Sequence, residues 1–451
     1  MIWQAIPMVR NRIIWTACLL ASITWSCLAH PLVQDAQDTA SSVDSNTTLL
    51  ALFLLLYEEP FSVESALVGG TPNAIYCAAD AIYIAGYDDN TSGQHEWRLE
   101  KRSRYTGQLD TNFGSNGVVT VDASPSGHDE LNDITYDGAY LYLAGWDDVQ
   151  GHPQWRIEKR LASNGALDSA FGSGGIIQYE PVSGQTNYLH AIELAAGGIY
   201  LGGSSYVIPN QEWRIEKRSL ITGALDTGFN GTGFITSGAG NGTQSRVFAM
   251  TVDDTYIYAG GAHQPGGNLA WRLDKRFLSD GSLESTFATG TIIDDAGPGA
   301  EQITSVSFDD SFVYVSGSEP DGEIEFHKYN RITGTPDASV GTSGHFTTNP
   351  DPSGPDGLNQ MIPYNGLLYL IGHDHANLTD LQWRISLRNA SDASLVTTFG
   401  QNGILQIDPT TSDDRAITGC IMGQYIFIAG STGTSPTTWR LDKRRLSDGS
   451  L

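Results

Sequence analysis

A six-residue pattern of the form Trp-Arg-Leu-Glu-Lys-Arg recurs along this chain and constrains its fold more than any other feature. The copies start at Trp97, Trp155, Trp213, Trp271, Phe326, Trp383 and Trp439. Successive starts lie 58, 58, 58, 55, 57 and 56 residues apart. A nearly fixed period of this size is typical of repeat architectures, in which each unit packs against its neighbours.

Each repeat unit contains four short strand-like runs separated by turn residues. In the second unit these runs cover residues 132–137, 140–146, 154–161 and 175–179. The intervening segments are rich in Gly, Asp, Asn and Ser, which favour tight turns, and no helical period is sustained. Seven units of four strands predict an all-β fold, a seven-bladed β-propeller of four-stranded blades.

The two ends of the repeat region indicate how the ring closes. The last unit stops after its third strand, whereas an unpaired strand-like segment at 61–68 precedes the first unit. We expect this N-terminal strand to complete the last blade, because closure removes exposed sheet edges. Cys77 and Cys420 fall in the first strands of the first and seventh units, which are neighbours in a closed ring. They predict a disulfide, with two buried free thiols as the alternative.

The N-terminal region predicts export. Arg10 and Arg12 precede an apolar stretch that runs to Ala29, so we interpret residues 1–29 as a secretory signal peptide. Residues 30–60 form a linker with an apolar segment too short to span a bilayer, and residues 61–451 form the propeller. We expect a secreted, periplasmic or outer-surface protein without a transmembrane segment after signal removal. A lipid anchor through Cys27 is the alternative.

The charge balance excludes two classes of partner. With 25 Lys+Arg against 51 Asp+Glu, the net charge is −26, which opposes binding to nucleic acid or anionic membranes. We interpret the acidity as a means of solubility outside the cell. The alternative is calcium binding by the clusters at 88–90 and 147–148, although neither has EF-hand spacing. No other cofactor is predicted.

A second motif follows the first in several units. Leu109-Asp110, Phe113-Gly114 and Gly117 follow the first copy, and the same order recurs at 167–175. Together with the preceding strand, this pattern resembles the delta-60 repeat of bacterial secreted and surface proteins over about residues 70 to 451. The order of elements is also similar to the NHL-type propeller blade, which would place 133–137 in an innermost strand. The resemblance implies a fold and an exported location, but no reaction.

The repeated Trp and charged residues are interpreted as structural. Strand alternation places Arg98, Glu100 and Arg102 on one face, where we expect their charges to pair between blades. A single functional site does not need the same residues in every unit. Function is therefore expected where the repeat departs from its own pattern, in the loops that join second and third strands and in those between blades.

These irregular loops supply the candidate ligand-binding residues. They are Asp88, Asp89, His95, His128, Asp129, Trp146, Asp147, His152, His373 and His375. His373 and His375 are also the candidate metal ligands, because alternate residues of an extended chain point the same way. No motif of a serine hydrolase, P-loop or zinc protease is present, so no catalytic residue is predicted.

The function expected from the sequence is non-catalytic. We expect a monomeric binding or scaffold propeller at the cell surface, with a protein or glycan as the ligand. The alternative is a propeller lyase or hydrolase with a metal-assisted site on the loop-rich face.

Overall fold

The computed structural model describes residues 59–65, 69–238, 244–264, 268–294, 301–318, 323–350, 356–375, 380–433 and 436–451. The predicted signal peptide, Cys27 and nearly all of the predicted linker lie outside these residues. Within the described ranges, no helix combines the length and apolar character needed to cross a bilayer.

Twenty-eight strands follow one another along the described chain. The first strand is β1 (Phe61–Glu64), and blades 1 and 2 consist of β2 (Pro72–Cys77), β3 (Ala81–Asp89), β4 (His95–Ser103), β5 (Val118–Val121), β6 (Glu130–Tyr136), β7 (Tyr140–Asp147), β8 (Gln154–Leu161) and β9 (Ile176–Tyr179). Blades 3 and 4 consist of β10 (Leu189–Ala195), β11 (Gly198–Val207), β12 (Asn210–Ser219), β13 (Phe234–Ser237), β14 (Arg246–Val252), β15 (Tyr256–His263), β16 (Ala270–Phe277) and β17 (Thr291–Asp294). Blades 5 and 6 consist of β18 (Gln302–Phe308), β19 (Phe312–Ser318), β20 (Ile324–Asn330), β21 (His345–Thr348), β22 (Gly357–Tyr364), β23 (Leu367–Asp374), β24 (Gln382–Asn389) and β25 (Ile404–Ile407). Blade 7 contains β26 (Arg415–Met422), β27 (Tyr425–Thr432) and β28 (Thr438–Arg445).

These strands form seven antiparallel sheets of four, and the predicted seven-bladed propeller is confirmed. The first strand of each blade is innermost and contacts the first strands of both neighbouring blades around a central channel. The last sheet has the order β1-β28-β27-β26, with Val63 opposite Leu441. The N-terminal strand therefore closes the ring, as predicted.

A disulfide reinforces the same closure. Cys77 in β2 and Cys420 in β26 are bonded, with their Cα atoms 6.0 Å apart. Blade 7 thus takes its fourth strand from the chain that precedes blade 1 and is also bonded covalently to blade 1.

The repeated Trp side chains are buried and link each blade to the next. The indole nitrogen of Trp97 donates a hydrogen bond to the carbonyl oxygen of Trp146 in blade 2, at 3.2 Å. Trp155 and Trp213 make the same bond to the following blade. Trp383 makes it as well, whereas the indole nitrogens of Trp271 and Trp439 have no hydrogen-bond partner among the described residues, so burial of the ring is the feature that all six share.

The repeated charges pair differently from the prediction. Arg98 and Arg102 both donate to Glu100 of the same strand, at 2.7–2.9 Å. The contact between blades is instead a cation–π interaction, in which the Arg98 guanidinium lies 5.5 Å from the ring centroid of Trp439. The expectation of charge pairing between blades is therefore wrong, because residues two apart on one strand face are already close enough to pair.

The second motif anchors the turn after the third strand. Asp110 lies 3.0 Å from Lys101 Nζ, and Phe113 is fully buried. Gly117 has φ +96°, and a Cβ there would lie 2.5 Å from the Cβ of Leu109. Each residue of the motif thus has a packing role.

In the fifth unit, the repeat starts two residues before the predicted position. Lys328 lies 2.6 Å from Asp337, as Lys101 lies beside Asp110 in blade 1. Gly317 faces Glu325, as Gly86 faces Arg98. The copy therefore begins at Ile324. The aromatic-basic pair at 326–327 imitates the Trp-Arg start and misled the sequence alignment.

Candidate functional site

The central channel is lined by residues that differ from blade to blade. Each innermost strand contains a register shift that leaves one residue unpaired. These residues are Asn73, Asn132, His190, Phe248, Thr304, Asn359 and Ile417, and all seven line a cavity of about 460 Å³. A β-bulge changes the direction in which a side chain points. The channel-lining residues are therefore not subject to the packing between blades that keeps the Trp positions alike.

The amide members of this ring stabilise contacts between blades. Asn132 Nδ2 donates to the carbonyl oxygen of Leu189 in blade 3, at 2.8 Å. Asn73 and Asn359 donate in the same way to their following blades. These side chains therefore have a structural role, whereas His190 Nε2 has no hydrogen-bond partner in the described part of the chain.

Two carboxyl groups lie on the same wall of the channel. Asp133 follows the bulge of β6, and its two oxygens accept hydrogen bonds from the amides of Ile134 and Ile192, each at 2.8 Å. Burial raises the pKa of Asp133 to about 7. Glu193 extends from blade 3, and burial together with the Asp133 charge raises its pKa well above the ordinary value.

His190 lines the same cavity as these acids. Its ring is 4.9 Å from that of Phe248, and its Nε2 is buried with no hydrogen-bond partner among the residues that the structure describes. Burial and the nearby Arg246 lower the pKa of His190 to about 3, so the ring is neutral at physiological pH. An unsatisfied buried nitrogen in a cavity is a position where a ligand group can form a hydrogen bond.

Arg246 is the first residue of the innermost strand of blade 4. Its Nε donates to Gln211 Oε1 at 2.8 Å, and its guanidinium lies 4.7 Å from the Tyr188 ring centroid. Among the described residues, none of the ion pairs includes Arg246. The innermost strands of blades 2 to 4 therefore contain the cation Arg246 together with the carboxyls Asp133 and Glu193.

We expect Glu193→Gln to stabilise the protein at pH 8 by about 2–4 °C in thermal midpoint. Because the folded state raises the pKa of Glu193, it retains a proton that the unfolded chain has already lost. Stability therefore falls as pH rises from the unfolded pKa towards the folded pKa. Glutamine keeps the shape and has no charge to ionise.

Thermal unfolding of both proteins between pH 4.5 and pH 8 checks this expectation. The two melting curves should approach each other at the acidic end. A difference independent of pH would contradict a role for the Glu193 charge.

Several predicted ligand residues instead form hydrogen bonds that stabilise the irregular loops. Asp88 accepts from Arg98 at 2.7 Å. Asp129 accepts the backbone amides of Ala123 and Ser124, and Asp147 accepts from Gln154 at 2.7 Å. These buried acids act as hydrogen-bond acceptors within the scaffold.

Other predicted residues remain more accessible. His95 Nδ1 lies 3.1 Å from Glu130 Oε1, and the His95 and His128 rings are 4.4 Å apart, so the structure brings these two histidines together. His152 pairs with Glu180 at 2.9 Å. Trp146 packs edge-on against Tyr188, and Asp89 is exposed.

The candidate metal ligands His373 and His375 are both partly buried. Burial lowers the pKa of His373 to about 4, and the His375 amide donates to Asp356 at 3.1 Å. In the part of the chain that the structure describes, the one group of three metal-type ligands lies elsewhere, at Asp294, His327 and His345.

The sequence analysis missed both the channel acids and this second group. Asp133 was placed in an innermost strand but was not singled out. A comparison of the seven units at their innermost positions would have shown Asp133, His190 and Glu193 as departures from the repeat. His327 was hidden by the shifted alignment of the fifth unit.

Comparisons with known proteins found distant structural similarity. No protein-family model and no curated protein matches the sequence. Among solved structures, Sqt1 from Chaetomium thermophilum aligns with 12% identity and a TM-score of 0.46, covering 86% of each chain. Drosophila Semaphorin 2a aligns with 11% identity and a TM-score of 0.47, covering 86% of this chain and 76% of the other.

Proposed function

We propose that this chain is an exported, non-catalytic binding propeller whose central channel receives a positively charged group of a protein partner. A lysine side chain or a terminal amine has the required chemistry. It would enter past Tyr188 and reach Asp133 and Glu193.

One observation carries this proposal: the two carboxyls on the channel wall have raised pKa values and no cationic partner among the described residues. Elsewhere in the blades, carboxylates such as Glu100 pair with arginines. Keeping Asp133 and Glu193 without such a partner costs stability unless an incoming cation compensates them. The net charge of −26 would also attract a cationic partner.

Export is supported by two features of the chain. The Cys77–Cys420 disulfide is typical of proteins that fold in oxidising compartments. The sequence of residues 1–29 has the charge and apolar pattern of a secretory signal.

A tri-lysine peptide is a suitable probe for the channel. We expect Glu193→Gln to weaken its binding about 10–100-fold, because one charge-assisted hydrogen bond is lost. Asp254→Asn is the control, since Asp254 is exposed and the substitution likewise replaces a carboxyl group by an amide. Isothermal titration calorimetry of the three proteins measures both effects.

The release of a proton on binding can be measured in the same calorimetric experiment. Amine binding should displace the proton held by Glu193, so the observed enthalpy should depend on the ionisation enthalpy of the buffer. That dependence should diminish in Glu193→Gln. Equal affinities for the parent, Glu193→Gln and Asp254→Asn would refute the proposed site.

A further inference from the structure

The fifth blade replaces the repeated charge pattern with a different set of residues. In β20, Glu325, His327 and Tyr329 occupy the positions that Arg98, Glu100 and Arg102 occupy in blade 1. Two more polar residues face them, Asp294 at the end of β17 and His345 at the start of β21. The corresponding residues in blade 1 are Val121 and Val118, so the whole group departs from the repeat.

We propose that Asp294, His327 and His345 bind a zinc-type divalent metal ion between blades 4 and 5. Their ligand atoms all lie within 4.8 Å of one another. Imidazole nitrogens with a carboxylate oxygen are a donor set that zinc accepts, and three protein ligands leave a position for water or another ligand. This site is independent of the channel.

The distances fit a small tetrahedral ion. Asp294 Oδ2 lies 3.3 Å from His327 Nδ1 and 3.2 Å from His345 Nε2. An ion with bonds of ~2.0–2.1 Å in tetrahedral geometry would separate neighbouring ligand atoms by ~3.3 Å. The distances from the carboxylate oxygen to the two histidine nitrogens therefore already match the ligand–ligand distance that such an ion requires.

The second nitrogen of His327 has the partner expected for a metal ligand. His327 Nε2 lies 2.5 Å from Glu325 Oε1, and the His327 side chain is only 2% exposed. A carboxylate that accepts the remote N–H of a ligating histidine fixes its tautomer and raises its basicity. Trp271, 4.5 Å away, stacks on the His327 ring and holds its orientation.

The charge and access of the site also suit a dication. Asp294 and Glu325 together supply two negative charges. Asp294 would contact the ion directly, whereas Glu325 contacts the ligand His327. His345 and Asp294 are 29% and 22% exposed, so the ion can arrive from solvent. The rings of His327 and His345 now stack at 3.8 Å, so binding requires the more exposed His345 ring to tilt.

Zinc titration of the metal-free full chain, in competition with a chromophoric chelator, tests the site. We expect one ion per chain at this site and at least ~100-fold weaker binding in His345→Gln. His152→Gln is the matched control, because His152 is also partly exposed and paired with a carboxylate. Glu325→Gln should weaken binding ~10–100-fold.

Two further measurements separate ligation from damage to the fold. Zinc should raise the thermal midpoint of the parent and of His152→Gln, but not of His345→Gln. Cobalt(II) should give a spectrum without a thiolate charge-transfer band. Equally tight binding by His345→Gln, or no binding to the parent below millimolar zinc, would overturn the proposal.

Discussion

Replacing Glu158 by glutamine is expected to lower the free energy of unfolding by about 3–5 kcal/mol. Glu158 is fully buried in β8, where its Oε1 accepts from Arg156 and its Oε2 from Arg160, at 2.5–2.9 Å. Glutamine has nearly the same volume, so no cavity forms. The substitution instead removes the carboxylate that two buried guanidinium groups share, and within the described chain only Arg156 keeps another, Asp147 at 3.4 Å. The shift of the guanidinium chloride midpoint measures the loss.

Blade 6 offers the reverse experiment. There Ser386 occupies the position of Glu158, and the buried Nε atoms of Arg384 and Arg388 have no hydrogen-bond partner within the described ranges. Burial and the Arg384 charge lower the pKa of Arg388 to about 10. We therefore expect Ser386→Glu to stabilise the protein by about 1–3 kcal/mol.

The exposed change Asp310→Asn serves as the control for both variants. It should leave the midpoint nearly unchanged. If Glu158→Gln were no more harmful than Asp310→Asn, the central carboxylate would have no stabilising role.

The double variant Cys77→Ser, Cys420→Ser is expected to lose about 2–5 kcal/mol of stability. The disulfide joins residues separated by 343 positions, so in the unfolded chain it closes a very long loop and restricts many conformations. In the folded ring it supports the one junction where the sheet is completed by a strand from the other end of the chain.

Reduction of the parent provides the matched comparison for the disulfide. Under a reductant, the parent should unfold at the same denaturant concentration as the double variant, which itself should not respond. A parent protein with the same midpoint in oxidising and reducing buffer would show that strand pairing alone closes the ring.

The blade count, the strand order and the closing strand were predictable because each follows from local patterns repeated many times. In the second unit, the predicted run 154–161 coincides with β8, and the run 140–146 ends one residue before β7 does. Where the repeat was degenerate, the prediction was less accurate. The pair Phe326-His327 imitated the start of the motif, and only the pairing of Gly317 with Glu325 corrects the register.

The candidate sites were less predictable for a different reason. Loop acids such as Asp129 and Asp147 resembled ligand residues in the sequence, yet both are fully buried in the structure. Conversely, Asp133 and Glu193 lie in strands of different blades, 60 residues apart in the chain. The charge of Asp133 helps to raise the pKa of Glu193, and this effect depends on the contact between neighbouring blades, which the chain order does not contain.

The sequence by itself determined the architecture, because a strand period of two and a unit period near 58 are properties of the chain order. Only the tertiary structure decided which polar residues lack partners. In blade 2, Arg156 and Arg160 pair with Glu158 of their own strand, so the opposite charges compensate one another. The channel carboxyls and the Asp294–His327–His345 group depend instead on contacts between blades. Desolvation and charge pairing depend on three-dimensional neighbours, so the sites became visible only when the blades were placed around the ring.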